Sequence, residues 1–345
     1  TPIKSSAASD VYKRQEKYKM ILTKDIGIDL GTENTLICDR KGRITISEPS
    51  VVAVDVKTRR VLATGKQAKA MIGRTPGSIV AVKPLKDGVI ADFDMTADML
   101  HDFIYRSAKS SVFTKTRAVI SVPSGVTEVE RRAVEDALRA AGASEVELIE
   151  EPLAAALGVG LPVFEATGSM IVDIGGGTCD VAVITLGGIA ARKSIKTAGN
   201  ALDEAIINYL KKEHSLLIGT VTAEDIKIKI GSAGEYDGEG AMEVRGRNLE
   251  NGLPKAIEIT SADVREILRE PVAEMIEAIR ETLEVTLPEL ASDIIDKGIY
   301  ITGGTSLLRG LPELIAKETG IAVYTPEHPL EAVAMGASMK LRRAR

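Results

Sequence analysis

Two short segments place an aspartate two residues before a glycine turn: Asp29-Leu30-Gly31-Thr32-Glu33-Asn34 and Asp173-Ile174-Gly175-Gly176-Gly177-Thr178. Backbone N–H groups gathered at such a bend, with few side chains in the way, bind anionic oxygens. Two such turns on opposite sides of a cleft would clamp a polyphosphate. Asp29 and Asp173 are placed to hold a metal ion through its waters. Mg²⁺ suits that role, because it keeps most of its water shell and pairs with phosphates. A third glycine turn, Gly303-Gly304-Thr305-Ser306, follows the apolar stretch 298–302. One such turn alone is an ordinary hairpin feature; three together point to a site.

Glu150-Glu151-Pro152 adds a second kind of chemistry. The proline marks the first turn of a helix. The two glutamates are then either partners of the helix dipole or a source of one carboxylate that enters the cleft. In the second case it would orient a water for attack on a terminal phosphate, since phosphoryl transfer asks mainly for positioning and charge neutralisation.

Other chemistries are excluded. No Gly-x-x-x-x-Gly-Lys-[Ser/Thr] loop is present. His101, His214 and His328 are scattered, and with only Cys38 and Cys179 a zinc site is ruled out. Two cysteines build no disulfide framework and suit a reducing compartment. The net charge of −5 offers no footprint for nucleic acid, and four Phe, seven Tyr and no Trp make no stacking surface. No apolar run approaches the roughly 18 residues of a membrane span. The 345 residues, 44% hydrophobic and 27% charged, suffice for two domains with real cores.

The elements that must hold these turns follow from periodicity. Residues 24–39 read as two strands around the first turn, with Ile26, Ile28 and Leu30 alternating, and 169–186 repeat that design around the second. The repeat predicts two similar lobes facing each other across a cleft. Helices are expected over 127–141, with Thr127 and Glu130 at capping-box spacing, and over 200–213. A third, 260–283, should kink or break near Pro271. Another should start near Ser306, with Leu307, Leu308, Leu311, Leu314 and Ile315 as its apolar side. Residues 231–252 read as an excursion of short strands around a loop. Strands and helices interleave, so the fold class is α/β with mixed sheets flanked by helices. Residues 1–19 carry five Lys/Arg against two Asp/Glu and no apolar centre. They read as a disordered or non-native tail before Met20, or else as a basic membrane-touching segment.

These residues resemble the superfamily of actin, the sugar kinases and the heat-shock chaperone ATPases, and within it the MreB family of bacterial actins. The resemblance rests on 29–35 (DLGTENT), 48–53 (EPSVVA), 86–92 (KDGVIAD), 122–133 (VPSGVTEVERRA), 149–156 (IEEPLAAA) and 172–178 (VDIGGGT). It continues through 244–247 (VRGR), 252–254 (GLP) and 303–311 (GGTSLLRGL), and so spans nearly everything after the tail. It implies an actin-like ATPase fold of two duplicated lobes around a nucleotide cleft. The first lobe is expected at 20–165, with 52–86 as its small subdomain. The second is expected at 166–324, with about 201–257 as its small subdomain, and 325–345 should return to the first lobe as a C-terminal helix.

The resemblance also implies roles. Gly31, Thr32, Glu33 and Asn34 would form the first phosphate loop and Gly175, Gly176, Gly177 and Thr178 the second, with Asp29 and Asp173 holding Mg²⁺ through water. Glu151 with Thr178 would position the attacking water, with Glu150 as the alternative. The helix carrying Glu224, Asp225, Ile226 and Lys227 would contact ribose and adenine. Glu224 and Lys227 share a helical face, and a solvated ion pair between them is the competing reading. Gly303, Gly304, Thr305 and Ser306 would face the adenosine. Three departures stand out: Glu33 where a small residue is usual, Thr305 for a third glycine, and Asn200-Ala201 for an acidic pair.

Two surface features concern assembly. Val112 and Phe113, flanked by Lys109 and Lys115, form a tip that would dip into an anionic bilayer or fold onto its own domain. The family's membrane loop falls at this position. The resemblance implies that Val129 lies where paired protofilaments touch, although its spacing with Val126 and Ala133 also fits core packing. The function implied is an ATP- and Mg²⁺-dependent filament protein, self-associating and peripheral on the cytoplasmic face of the plasma membrane. There it would work with the cell-wall elongation machinery to direct rod shape. The rivals are a small-molecule kinase of the same fold, a chaperone ATPase, which would carry a peptide-binding domain, and a paralogue that does not hydrolyse.

Overall fold

A computed structural model describes residues 23–108 and 115–343. The chain opens with β1 (Thr23–Leu30), β2 (Asn34–Asp39) and β3 (Ile44–Pro49). A smaller unit follows: β4 (Val52–Asp55), β5 (Val61–Thr64), α1 (Gly65–Lys69) and β6 (Ile79–Val82). After the short β7 (Leu85–Lys86) and β8 (Val89–Ile90) come α2 (Phe93–Ala108), β9 (Lys115–Val122), α3 (Glu128–Ala140), β10 (Ala143–Glu150) and α4 (Glu151–Gly158). The second half restarts with β11 (Ser169–Ile174), β12 (Cys179–Thr185), β13 (Gly188–Ile195) and α5 (Gly199–His214). Its smaller unit holds β14 (Leu216–Leu217), α6 (Thr220–Ile230), β15 (Ala241–Asn248) and β16 (Pro254–Thr260). Next are α7 (Ser261–Glu284), α8 (Pro288–Lys297), β17 (Ile299–Thr302), α9 (Leu311–Thr319), β18 (Val323–Tyr324) and α10 (Ala332–Arg343).

The duplication is visible in the sheets. One runs β10-β9-β1-β2-β3 and the other β18-β17-β11-β12-β13. In each, the leading hairpin is antiparallel and the two returning strands are parallel. Each half also carries a separate three-stranded sheet, β5-β4-β6 in the first and β14-β15-β16 in the second. The core of the first half gathers Ile26, Ile28, Ile37, Leu100, Phe103 and Ile120, and that of the second gathers Val172, Ile174, Leu202, Ile206, Ile226 and Ile279. Each fully buried side chain of this size contributes about 1.5–3 kcal/mol. A third cluster takes Val119 and Ile149 from the first sheet, Ile171 and Ile184 from the second, and Val333 and Ala337 from α10, so it joins the halves.

At that junction α4 and α10 touch backbone to backbone. A Cβ on Gly158 would lie 1.9 Å from the Ala332 carbonyl oxygen, and one on Gly336 would lie 1.7 Å from that of Ala154. Each Ala-x-x-x-Gly pair therefore receives the other helix, and no larger residue fits at either glycine.

Helix ends follow local chemistry. Thr127 caps α3 in a capping box, its Oγ1 accepting from the Glu130 N–H while Glu130 Oε2 accepts from the Thr127 N–H at 2.7 Å. Two expectations are corrected. α7 runs unbroken through Pro271, because Leu268, Val272 and Met275 pack its buried face into the core on both sides of the proline. No helix starts at Ser306: Gly304–Leu307 forms a 3₁₀ turn, Leu308 is extended, and α9 begins only after Gly310, whose φ of 74° breaks the run. The excursion at 231–252 contains one long strand, β15, paired with β16.

Candidate functional site

The two glycine turns close identically. The Gly31 N–H donates to the Asn34 carbonyl at 3.1 Å and the Gly175 N–H to the Thr178 carbonyl at 2.9 Å. Ser50 braces the first turn, donating from Oγ to the Gly31 carbonyl at 2.6 Å and from N to the Glu33 carbonyl at 2.8 Å. Thr305 Oγ1 and the Gly199 N–H both donate to the Gly175 carbonyl, at 2.8 and 3.1 Å, bracing the second. The turns face each other across a cleft of about 430 Å³ lined by both, together with Asp29, Asp173, Glu151, Glu224, Lys227, Gly303, Gly304 and Thr305.

Their approach is close. A Cβ on Gly177 would stand 2.5 Å from Thr32 Oγ1 and 3.2 Å from the Asp87 Cα, and one on Gly176 would meet Glu33 Cγ at 2.2 Å. The first turn thus reaches over the second with side chains, and the second must be bare. Thr32 Oγ1 also accepts from the Gly88 N–H at 2.9 Å, and Glu33 pairs with Lys83, which engages the extra carboxylate within its own half.

Carboxylates crowd the cleft floor. Burial, then the charge of Asp173, pushes Asp29 up to about 7, against a weak hydrogen bond from Ser121 Oγ at 3.3 Å. Burial likewise pushes Asp173 up to about 7, although Thr302 Oγ1 donates to it at 2.7 Å. Glu151, the first residue of α4, is 7% exposed, and its carboxyl is held well above the ordinary range by burial and by Asp180, Asp29 and Asp173. A set of acids that resists ionisation together invites a cation. Among the described residues no three or more His, Cys, Asp or Glu side chains form a metal cage. The hard-oxygen pair Asp29 and Asp173 fits an ion that takes its remaining ligands from water and phosphate.

Several expected residues separate on inspection. Glu150 faces away, held by Arg131 and Arg192 at 3.2 Å each, which leaves Glu151 as the carboxylate in the cleft. Glu224 and Lys227 both line the cleft but do not pair with each other. Glu224 binds Lys69 at 2.7 Å, and Lys227 binds Asp203 and the Gly199 carbonyl, both at 2.8 Å. Between them, Asp225 turns outward to Lys229 at 3.4 Å and Ile226 is fully buried in the core, as helical spacing dictates. Ser306 is buried and donates to the Gly303 carbonyl at 2.7 Å instead of lining the cleft. Val129 is 80% exposed, so core packing does not hold it. Val112 and Phe113, like the 1–19 segment, lie outside the described residues.

Sequence reasoning missed three residues. Asp180 sits opposite Asp173 in the β11–β12 register, accepts from the Ser124 N–H at 3.2 Å and Oγ at 2.8 Å, and faces Glu151. Counting back from Asp173 across the turn would have found it. Asp203, pushed up to about 6 mainly by burial, anchors Lys227. Lys69 comes from a remote helix and carried no local signal. The cleft also has apolar lining, including Ile228, Leu307, Pro329, Leu330 and Val333.

Comparison with known proteins shows the family and the fold of the chain. The chain is 47% identical to the cell shape-determining protein Mbl of Bacillus subtilis over 321 residues, covering 93% of this chain and 96% of that protein. It is 48% identical to the cell shape-determining protein MreB of Escherichia coli over 331 residues, covering 94% and 95%. Crystal structures of MreB5 of Spiroplasma citri, bound to ADP and to AMPPNP, match with a TM-score of 0.89 each, at 36% and 37% identity. Those matches cover 94% and 93% of this chain and 98% and 97% of the structures. The MreB/Mbl protein family matches residues 23–345. The chain therefore belongs to the MreB/Mbl family, with the actin-like fold of two duplicated halves around a cleft.

Proposed function

We propose that this protein is a nucleotide-dependent, filament-forming bacterial actin that binds and hydrolyses ATP. The observation that carries the reading is the pair of identically closed glycine turns facing each other over Asp29, Asp173 and Glu151. Backbone N–H groups of residues 31–34 and 175–178 would bind the phosphates from both sides. In the middle of the cleft, the Glu224 carboxylate would accept from sugar hydroxyls and Lys227 would donate. The base would lie against Gly303, Gly304, Thr305 and the apolar Leu330. The Spiroplasma citri relative bound to ADP and AMPPNP supports an adenine nucleotide.

Asp29 and Asp173 would hold Mg²⁺ through water, and the ion would supply charge neutralisation at the phosphates. Glu151, fixed at the start of α4, would hold the attacking water together with the Thr178 hydroxyl. Because the nucleotide would touch both halves, its state would bias the angle between them, which is how hydrolysis would couple to assembly.

The cell shape-determining relatives support a cytoskeletal role that directs cell-wall elongation and rod shape. Exposed Val129 would contribute to pairing of protofilaments. Among the described residues no helix is long and apolar enough to cross a membrane. The protein would sit on the cytoplasmic face of the plasma membrane through the Val112–Phe113 tip, next to the elongation machinery.

The decisive experiment is pelleting with electron microscopy, with and without Mg·ATP, on anionic liposomes and off them. Filaments that require nucleotide are expected. ATP turnover without polymer under any condition would overturn the filament reading. Replacing Val112 and Phe113 with Ser should reduce liposome co-sedimentation, and unchanged co-sedimentation would remove the loop from the membrane contact.

A further inference from the structure

Glu224 and Lys227 stand one helical turn apart with opposite charges, yet each is drawn to a different partner. Lys227 is committed within its own half, to Asp203 and the Gly199 carbonyl. The counter-charge for Glu224 comes instead from Lys69, at 2.7 Å. These two residues belong to separately cored units. α1 packs through Ala68 into a cluster with Val51 and Ala53, whereas α6 packs through Ala223 and Ile226 into the main core of the second half. The ion pair therefore crosses between the halves. α1 is itself anchored, because Glu48 Oε2 accepts from the Lys66 N–H at 2.8 Å. Side-chain exposures of 31% for Lys69 and 27% for Glu224 leave the pair partly shielded from water and salt.

We infer that Lys69 is a positioning residue for the nucleotide, fixing from the opposite half the Glu224 carboxylate that meets the sugar. The inference rests on the nucleotide reading above and deepens it: the sugar contact is complete only when the halves are closed on each other. A carboxylate held on one side by an ammonium keeps its other lone pairs aimed at a donor, and the sugar hydroxyls are donors. Recognition of the ribose is thereby shared between the two halves.

The test is displacement of bound 1,N6-etheno-ATP, labelled on the base so that the ribose stays free, by ATP and by 2′-deoxy-ATP with Mg²⁺. The wild-type protein should prefer ATP. Lys69→Met should shrink that preference by about two- to fivefold, the range expected of a partly exposed pair, and Lys69→Arg should retain most of it. Raising ionic strength should lower the preference in the wild type and leave it unchanged in Lys69→Met. A Lys69→Met protein with the wild-type preference overturns the inference while nucleotide binding stands, and so does a wild type indifferent to the 2′-hydroxyl. Failure of etheno-ATP to bind the wild type at all overturns the nucleotide reading and this inference with it.

Discussion

The two halves share one plan and differ where they meet. β1 and β11 each carry, as their next-to-last residue, an aspartate beside a hydroxyl on the neighbouring parallel strand, Ser121 for Asp29 and Thr302 for Asp173. Each is followed by a turn closed by the same hydrogen bond. Their equivalent turns nevertheless have opposite compositions. Thr32 and Glu33 carry side chains that reach across the gap, and Gly176 and Gly177 give them room. Across the hairpin, Asp29 faces Leu36 whereas Asp173 faces Asp180, so the second half adds a carboxylate that the first lacks. Two equivalent turns that approach this closely cannot both present side chains at the contact, so a polyphosphate between them would meet an asymmetric clamp.

The comparison can be broken most severely at Glu151, which neither turn supplies. Glu151→Ala should slow phosphate release by about 10²–10⁴-fold, with ATP affinity changed less than threefold, roughly. Unchanged turnover would move the role elsewhere. Next in size is Gly177→Ala, whose methyl meets Thr32 and the Asp87 backbone. A cost of about 1–3 kcal/mol would weaken nucleotide binding by about five- to 150-fold. Glu33→Ala, on the permissive side, should stay within about threefold. Equal effects of the two changes in a nucleotide titration would refute the asymmetry. Asp173→Ala should then weaken Mg·ATP binding more than Asp29→Ala, because Asp173 is the more deeply buried and the more tightly hydrogen-bonded. Calorimetry giving the reverse order would remove that ranking.

The smallest effect concerns pH. Asp29 and Asp173 are raised from 3.8 to about 7, so the nucleotide-free folded chain holds these protons more tightly than the unfolded chain. Their stabilising contribution is full below about 4 and is lost as the pH rises through about 7. The melting temperature without nucleotide should fall between pH 6 and pH 8. Asp173→Asn should flatten that fall by about 1–2 °C, what 1 kcal/mol moves in a protein of this size. A thermal scan with identical slopes for the two proteins would defeat it.

The features legible in the sequence were those written in consecutive residues. The two hairpins, the capping box at Thr127 and the helix behind Asn200 all rest on spacing, and spacing survives folding. Asp203 and Lys69 were not legible, because their partners lie on other elements and no local pattern announces a pair between distant segments. Asp180 was legible in principle, since its register opposite Asp173 follows from a symmetric turn. The break between Leu308 and Leu311 was hidden by an apolar pattern that mimics a helix; Gly310 decided it. Among residues 224–227, Glu224 and Lys227 line the cleft as their shared helical face implies, whereas the middle two were carried along by adjacency alone.

The crossing of α4 and α10 sets the mechanics of the whole molecule. Two helices that meet through reciprocal Ala-x-x-x-Gly contacts cannot separate without opening a void, and cannot slide without driving Cα atoms into carbonyls. Rotation about the contact is the motion left to them, as at the rivet of a pair of scissors. Glu151 begins α4 only three residues from Ala154, so it stands beside the rivet, where a given rotation displaces least. Lys69 and Glu224 lie on the blades, outside the crossing, where the same rotation is amplified. On the proposed function, the acid in the cleft would thereby stay still while the Lys69–Glu224 contact opened and shut.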